Sequence, residues 1–315
     1  FRHSAPYINA HRGNTFVLML PGDCIDQPNY PNIISDIALL SSLGIKLVVI
    51  HGARAQIEQQ LKLAGVASVF HDGLRITSKE AMPHVLEAVG RTRFHLESSF
   101  SNSLPNSPMH GSKIRVRGGN FISAMPQGVI KGKDFQHTGK VRNTDALGIA
   151  EALNPGAIVL ISPIGYSATG EIFNLSFADI AIQTSLDLNV DKLIAYNDDG
   201  PIKDANGSIY RELTLLKCEK FLVKQPVDNR TNTYFALRAC HKACDGGVPR
   251  AHVISSNDDG ALVKELFTRD GSGTMVYRDS YETIRRGMIE DVLGLLTRIE
   301  PLELEGRLAK HSREL

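Results

Sequence analysis

The chain has 315 residues, of which 42% are hydrophobic and 22% are charged, and its formal net charge is +1. This composition is typical of a folded protein with an apolar core. The near-neutral charge gives no electrostatic reason to expect nucleic acid or an anionic membrane as a partner. No apolar run reaches the ~18 residues that a membrane-spanning helix needs, and the first residues lack the apolar segment of a secretory signal.

The cysteines do not form a pattern that binds metal. Cys240 and Cys244 lie close together on a predicted helix, but Cys24 and Cys218 make no second pair, and no histidine cluster has zinc spacing. We therefore predict reduced thiols and no metal site. Reduced thiols favour a cytoplasmic protein, or an organellar one if the source is a plant.

The first hundred residues predict alternating helices and strands. Residues 1–13 predict a short helix, and residues 16–20 predict a strand. Apolar residues recur at helical spacing over 30–43, where Gly44 ends the helix. The unbroken apolar run 47–50 is typical of a parallel strand that is buried on both faces. Further helices are predicted over residues 56–64 and 78–97.

The middle of the chain predicts hairpin strands at 113–116, 120–125 and 128–130, because glycines separate these segments. Residues 157–161 repeat the buried parallel-strand pattern. The later predicted elements are a hairpin around 167–170, helices at 176–188, 214–223, 234–244 and 260–267, and strands at 193–196, 251–254 and 273–277. This order predicts an α/β fold: a doubly wound, mostly parallel sheet with helices on both faces and antiparallel hairpins.

The pattern changes after Arg278. Residues 281–286 predict a strand, residues 288–299 predict an amphipathic helix, and residues 301–315 have few apolar side chains. We therefore expect a second domain to begin at residue 281, with only its start included in the chain.

Four segments resemble the amino-acid kinase family, and within it the acetylglutamate kinases. His-Gly-Ala-Arg-Ala-Gln-Ile at 51–57 resembles their His-Gly-Gly-Gly-Pro-Gln-Ile turn, and Asp-Gly-Leu-Arg-Ile-Thr at 72–77 resembles their Asn-Gly-Leu-Arg-Val-Thr. Ser-Pro-Ile-Gly at 162–165 and Phe-Asn-Leu at 173–175 match two more of their motifs. The resemblance covers about residues 14–278 and implies the carbamate-kinase-like fold.

The residues that would carry phosphoryl transfer depart from this family. Lysine, aspartate and lysine are expected where this chain has Met19, Ala178 and Ala236. Loss of such charges removes a few kcal/mol of transition-state stabilisation each. A shift of the alignment would bring Asp179 or Arg238 into two of these positions, but Met19 has no charged neighbour. We therefore expect a scaffold that binds rather than phosphorylates.

Other segments are similar to bacterial-type N-acetylglutamate synthases: Phe-Arg-His-Ser-Ala-Pro-Tyr-Ile at 1–8, Gly-Gly-Asn-Phe-Ile at 118–122 and Ser-Arg-Glu at 312–314. In that family the kinase-like domain senses L-arginine, and a GNAT-type domain transfers acetyl from acetyl-CoA to L-glutamate. The resemblance implies an oligomerisation segment at 1–13, an arginine-sensing domain at 14–278 and the start of the GNAT domain at 281–315. It also implies that the catalytic site lies beyond Leu315 and that the protein forms a homo-oligomer, of which a hexameric ring is one form.

The resemblance further implies two groups of site residues. The arginine-binding group is His3, Tyr7, His252, Glu265, Gly271, Gly273 and Thr274. A carboxylate such as Glu265 suits a guanidinium, although by itself it would more simply be a solvated helix residue. The second group, Gly52, Arg75 and Asn174, corresponds to a vestigial pocket for an acidic ligand. For Arg75 a surface ion pair is an equal alternative.

Three functions follow, in order of preference. The first is N-acetylglutamate synthesis, with this chain as the regulatory part and inactive alone. The second is an ATP-dependent kinase of acetylglutamate or a related acid, which Met19 disfavours. The third is a stand-alone amino-acid sensor, which leaves the amphipathic segment 288–299 without a role.

Overall fold

The computed structural model describes residues 4–101, 114–204, 206–224 and 231–278. The strands of these ranges are β1 (Thr15–Leu20), β2 (Lys46–His51), β3 (Val69–His71), β4 (Leu74–Ile76), β5 (Val116–Arg117), β6 (Ile122–Pro126), β7 (Val129–Ile130), β8 (Lys133–Asp134), β9 (Gly139–Thr144), β10 (Ile158–Ile161), β11 (Ile164–Tyr166), β12 (Ile172–Asn174), β13 (Lys192–Asn197), β14 (Glu212–Thr214), β15 (Arg250–Ser255) and β16 (Thr274–Tyr277). The helices are α1 (Ala5–His11), α2 (Tyr30–Ser42), α3 (Arg54–Ala64), α4 (Ala81–Ser101), α5 (Ala146–Leu153), α6 (Phe177–Asp187), α7 (Leu215–Val223), α8 (Asn232–Asp245) and α9 (Ala261–Phe267), with a 3-10 helix at Gly22–Asp26. The elements predicted for residues 281–299 lie outside the described residues.

The predicted mostly parallel sheet is confirmed. Eight strands lie in the order β14-β16-β15-β13-β1-β2-β10-β5. Their neighbours are parallel except for the antiparallel pair β15 and β16. Along β1, Val17 and Met19 pack in one buried cluster, whereas Phe16, Leu18 and Leu20 pack in another. Since successive side chains of a strand point to opposite faces, both faces of the sheet are covered.

Antiparallel hairpins stand beside the main sheet, as predicted. A four-stranded sheet has the order β12-β11-β6-β9, and β3-β4 and β7-β8 form two-stranded sheets. Asp72 and Gly73 join β3 to β4 with φ of 51° and 76°. Positive φ at both residues is the requirement of a type I′ turn, which the Asp-Gly pair meets.

Two predictions for the middle of the chain need correction. The strand predicted at 113–116 is found at Val116–Arg117, where β5 pairs in parallel with β10 rather than in a hairpin. Strand β9 and helix α5 were not predicted. The sequence of β9 is polar on its exposed face, and α5 follows it after a single residue, Asp145, whose side chain accepts a hydrogen bond from Gly148 N.

All four cysteines are buried free thiols, as predicted. Burial raises the pKa of Cys24, Cys218 and Cys244 to about 12. These thiols therefore act as small apolar side chains of the core. Across the described ranges, no helix is both long and apolar enough to cross a bilayer.

Candidate functional site

A cavity of about 100 Å³ lies where β1 and β2 end; we call it the strand-end cavity. Two glycine turns approach each other here, and Gly52 N donates to Leu20 O at 2.8 Å. A Cβ on Gly52 would lie 3.1 Å from Gly22 N, and a Cβ on Gly22 would collide with Gln56 Oε1. Glycine at both positions is therefore required for the close packing of the two turns.

The three residues of the predicted acidic-ligand pocket all line this cavity. Gly52, Arg75 and Asn174 come from separate parts of the chain, and the fold brings them together. Asn174 Nδ2 donates to Thr77 Oγ1 at 3.0 Å, and Thr138 Oγ1 donates to the carbonyl oxygen of Arg75 at 2.6 Å. These bonds hold β4 and β12 against each other around the cavity.

The guanidinium of Arg75 is already engaged within the protein. Its Nη2 lies 2.6 Å from Glu58 Oε1, and its plane lies 4.6 Å from the centre of the Phe70 ring. Arg54 lies over the same ring at 4.7 Å. Both arginines line the cavity together with Phe70, so its wall offers cationic groups beside an aromatic face. Arg75 therefore forms an ion pair, which was the alternative given in the sequence analysis, and it also lines the cavity.

His51 supports the cavity from beneath. Its side chain is fully buried, with Nδ1 3.0 Å from Gly52 O and Nε2 2.9 Å from Ser162 Oγ. Burial, with a smaller effect from Arg93, lowers the pKa of His51 to about 4. The neutral ring thus ties the turn after β2 to the turn after β10.

The positions that carry catalytic charge in kinases are part of the apolar core. Met19, Ala178 and Ala236 are each fully buried in one hydrophobic cluster. The neighbouring charges, Asp179 and Arg238, pair with each other at 2.6 Å. If the alignment were shifted to place Asp179 and Arg238 at the catalytic positions, these two side chains would already be paired with each other.

The start of α8 is surrounded by carboxylates. Asn232 Nδ2 donates to Asp23 Oδ2 at 2.8 Å, and Thr233 Oγ1 donates to Asp199 Oδ2 at 2.5 Å. Asp198 Oδ1 lies 3.3 Å from the same amide of Asn232. Acidic groups suit the positive end of a helix, and they repel a polyphosphate at that place.

The second region is a group of buried side chains at the other edge of the sheet, where β13 begins; we call it the Glu265 cluster. Glu265 Oε1 lies 2.6 Å from His252 Nδ1, and Oε2 accepts hydrogen bonds from Ser272 N at 2.7 Å and Gly273 N at 2.6 Å. The side chains of Glu265 and His252 are 5% and 6% exposed. Glu265 is thus buried, and the alternative of a solvated helix residue is wrong.

Hydrogen bonding keeps Glu265 ionised. Burial alone would raise its pKa, but the bonds from His252 and from the two backbone amides hold the pKa below its ordinary value. An ionised carboxylate with several donors is a common way of stabilising buried charge. The cluster therefore contains a preorganised anionic group.

Gly271 and Gly273 wrap the backbone around this carboxylate. Gly271 has φ of +61°, and a Cβ there would lie 2.6 Å from Glu265 Oε2. A Cβ on Gly273 would lie 2.5 Å from Val253 O. Neither position has room for a side chain: Gly271 is explained by the approach of the loop to Glu265, and Gly273 by its approach to β15.

The other residues predicted for the arginine site are placed less directly. Thr274 is fully buried, and its Oγ1 accepts a hydrogen bond from Ile202 N at 2.9 Å. Tyr7 lies on α1 and packs against the cluster that includes Leu266 and Phe267 of α9. His3 lies outside the described residues.

Sequence reasoning missed two members of this region. His11 of α1 has Nε2 3.0 Å from Leu266 O, which fixes α1 to the end of α9. Lys192, the first residue of β13, has Nζ 3.4 Å from His252 Nε2. Both contacts join residues far apart in the chain, 255 and 60 positions respectively, and local patterns carry no signal for them.

Comparison with known proteins gives a consistent family. The model of the amino acid kinase family matches residues 14–255. The amino-acid acetyltransferases of Pseudomonas fluorescens strain SBW25 and of Azotobacter vinelandii strain DJ are each 47% identical to the chain over 314 residues, which cover 100% of the chain and 72% of each relative.

Solved structures agree with this result. N-acetylglutamate synthase from Neisseria gonorrhoeae complexed with coenzyme A and N-acetyl-glutamate matches with a TM-score of 0.84 and 30% identity, over 99% of this chain and 71% of that one. The same synthase complexed with coenzyme A and L-arginine matches with a TM-score of 0.83 and 29% identity, over 100% and 72%. Carbamate kinase from Giardia lamblia bound to AMP-PNP shares the fold, with a TM-score of 0.60 and 13% identity over 85% of this chain and 99% of that one.

Proposed function

Since this chain belongs to the amino acid kinase family and, within it, to the amino-acid acetyltransferases, we propose that it is the regulatory part of an N-acetylglutamate synthase. The enzyme transfers the acetyl group of acetyl-CoA to the α-amine of L-glutamate, releasing coenzyme A. The chain binds L-arginine at the Glu265 cluster, and this binding exerts feedback control on acetyl transfer. We assign residues 1–13 to oligomerisation, 14–278 to arginine sensing, and 281–315 to the acetyltransferase part, and we place no acetyl-transfer residue within the chain.

The observation that carries this proposal is the ionised, buried carboxylate of Glu265 within a glycine loop. A guanidinium binds carboxylates with two parallel hydrogen bonds and keeps its charge at all ordinary pH values. Among the described residues, Oε1 accepts a hydrogen bond from His252 alone, so it retains an acceptor site. The relative from Neisseria gonorrhoeae, complexed with coenzyme A and L-arginine, supports arginine as the ligand.

Calorimetric titration with L-arginine tests the assignment. We expect micromolar binding to the chain and at least tenfold weaker binding after Glu265→Gln, which removes the charge and keeps the shape. L-Citrulline, a neutral analogue of arginine, should bind as weakly. The matched control is Glu80→Gln, because Glu80 is exposed. Equal affinity for arginine and citrulline, unchanged by Glu265→Gln, would refute the assignment.

The regulatory role needs the complete enzyme. Feedback control requires that arginine bind two arrangements of the protein unequally. We expect turnover of glutamate and acetyl-CoA to change with arginine, and the change to be lost in Glu265→Gln. Turnover that is identical with and without arginine would contradict this role.

The strand-end cavity supports a second binding site, for an acidic ligand, at Gly52, Arg75 and Asn174. Its support is that these residues meet at one cavity that is lined by two arginines. Titration with N-acetyl-L-glutamate should give binding that Arg75→Met weakens and that Arg91→Met, at an exposed position, leaves unchanged. Binding of similar strength to all three proteins would refute this site.

The kinase alternative is disfavoured by the buried apolar side chains at its catalytic positions and by the carboxylates around the start of α8. An ATP-dependent phosphorylation assay with N-acetyl-L-glutamate should therefore give no product. We also propose a cytoplasmic homo-oligomer. Light scattering of the purified chain and cell fractionation test these two statements, and a monomeric or membrane-associated protein would contradict them.

A further inference from the structure

Lys192 is a buried cation whose hydrogen-bond partner is a ring nitrogen. The residue is 9% exposed, and its Nζ lies 3.4 Å from Nε2 of His252. The other ring nitrogen, Nδ1, lies 2.6 Å from Glu265 Oε1. The three side chains therefore form a continuous row that starts on β13, crosses β15 and ends on α9.

The chemistry of the two ends determines the state of the ring. Burial lowers the pKa of Lys192 to about 8, although Glu265 and Asp191 oppose this shift, so the ammonium form predominates at pH 7 and below. An ammonium group has hydrogen-bond donors and no acceptor, so Nε2 of His252 must accept and cannot carry a proton. An ionised carboxylate only accepts, so Nδ1 must carry the proton and donate to Glu265. The row thus requires a neutral His252 in its Nδ1–H form.

We propose that Lys192 is a positioning residue of the Glu265 cluster: its ammonium keeps His252 neutral, so that Glu265 presents an undiminished negative charge to a cationic ligand. If His252 were an imidazolium, a positive charge would stand 2.6 Å from the carboxylate and compete directly with a guanidinium. This proposal rests on the proposed function only in taking arginine as the ligand.

The charges around the ring agree with this assignment. Burial is the main cause that lowers the pKa of His252; Lys192 and Arg250 lower it further, and the bond to Glu265 opposes them. His11 of α1 is the other titratable ring that faces His252. Removing Lys192 removes a cation from beside Nε2, so protonation of that nitrogen becomes easier.

The first test needs no ligand. Nitrogen-15 NMR of the histidine rings in the whole chain, between pH 6 and pH 7, reports which nitrogen carries a proton, and loss of signals in His252→Gln identifies the ring. We expect a protonated Nδ1 and an unprotonated Nε2 at every pH. Lys192→Arg, which keeps a cationic donor, should give the same result. In Lys192→Met the Nε2 nitrogen should become protonated towards pH 6.

Either of two results would overturn the proposal: a protonated Nε2 in the unaltered chain, or a Lys192→Met chain whose ring titrates as in the unaltered one. The unaltered chain by itself can refute the assignment, so the test holds even if Lys192→Met does not fold. Circular dichroism of both variants shows whether they fold.

The second test is the pH dependence of arginine binding. The unaltered chain and Lys192→Arg should bind with affinities at pH 6 and pH 8 that agree within about twofold. Lys192→Met should bind about tenfold more weakly at pH 6 than at pH 8, as expected for a shift of about one pH unit in the ring's protonation. A loss of affinity that is the same at both pH values would indicate a merely structural lysine. If no chain binds arginine, the effector assignment fails, whereas the NMR result still decides the role of Lys192.

Discussion

The strand-end cavity and the Glu265 cluster lie at opposite edges of the same parallel sheet, and they differ in what they retain. The cavity has space, with glycine turns that approach closely, but the positions for catalytic charge are buried Met19, Ala178 and Ala236. The cluster has charge, with an ionised Glu265 whose oxygens are held by His252 and by backbone amides.

Binding and catalysis can therefore be separated within one fold, because they depend on different groups. Phosphoryl transfer needs charges aimed at a moving group, and without them a glycine-lined cavity can still hold a ligand. A buried carboxylate with a fixed set of hydrogen-bond donors can bind a cation without taking part in a reaction. The two sites proposed here are therefore sites of recognition, at the two ends of the strands of one sheet.

The largest effect on stability is expected when a charged side chain is introduced into the core beneath the cavity. Met19→Lys places an ammonium among fully buried apolar side chains and should lower the free energy of unfolding by about 4 kcal/mol without producing kinase activity. Urea denaturation and an ATP-dependent phosphorylation assay measure the two quantities. Met19→Leu, a substitution of similar volume, should change stability by less than about 1.5 kcal/mol. Kinase activity in Met19→Lys would show that only one charge separates this cavity from catalysis.

A second effect follows from the histidine that supports the cavity. The pKa of His51 falls from 6.5 in the unfolded chain to about 4 in the folded one, so the unfolded chain binds the proton more readily. Stability from the neutral ring is complete above pH 6.5 and is lost as the pH falls towards 4, by about 3 kcal/mol in total. Urea denaturation at pH 7 and pH 4.5 should show a smaller difference for His51→Gln than for the unaltered chain. Equal differences would mean that the pKa of His51 is not lowered by folding.

The smallest of these effects tests the packing of the Glu265 cluster. Gly271→Ala introduces both an unfavourable positive φ and a Cβ 2.6 Å from Glu265 Oε2. Gly65→Ala introduces only the first, because Gly65 has φ of +71° and no atom near its Cβ position. We expect Gly65→Ala to destabilise by about 1 kcal/mol and Gly271→Ala by about 1 to 2 kcal/mol more. Equal losses, measured by urea denaturation, would show that the loop moves freely away from the carboxylate.

The sequence predicts the centre of the sheet well, because burial on both faces leaves unbroken apolar runs such as those of β2 and β10. It fails for β9, whose Gly139–Thr144 segment has several exposed polar residues, and for the edge strand β5, which is only two residues long. Short edge strands are defined by their neighbours rather than by their own composition.

The candidate sites likewise contain residues that the sequence indicated and a residue that it did not. The resemblance to acetylglutamate kinase motifs pointed to Gly52 and Arg75, because the residues that carry it are contiguous in the sequence. Lys192 could not be identified, because its meeting with His252 depends on the order of strands in the sheet, with β13 next to β15. The proposed neutral Nδ1–H form of His252 depends on that long-range contact, so it could be inferred only from the three-dimensional structure.

The bond from His11 to Leu266 O has a consequence for the order of assembly during synthesis. Helix α1 is synthesised before its partner on α9, which follows 255 residues later in the chain. At ~5–20 residues per second, this interval is on the order of tens of seconds. The ring of His11 can pack on Phe16 early, but its bond to Leu266 cannot form until α9 has been made. Helix α1 is thus an early element whose packing is completed late.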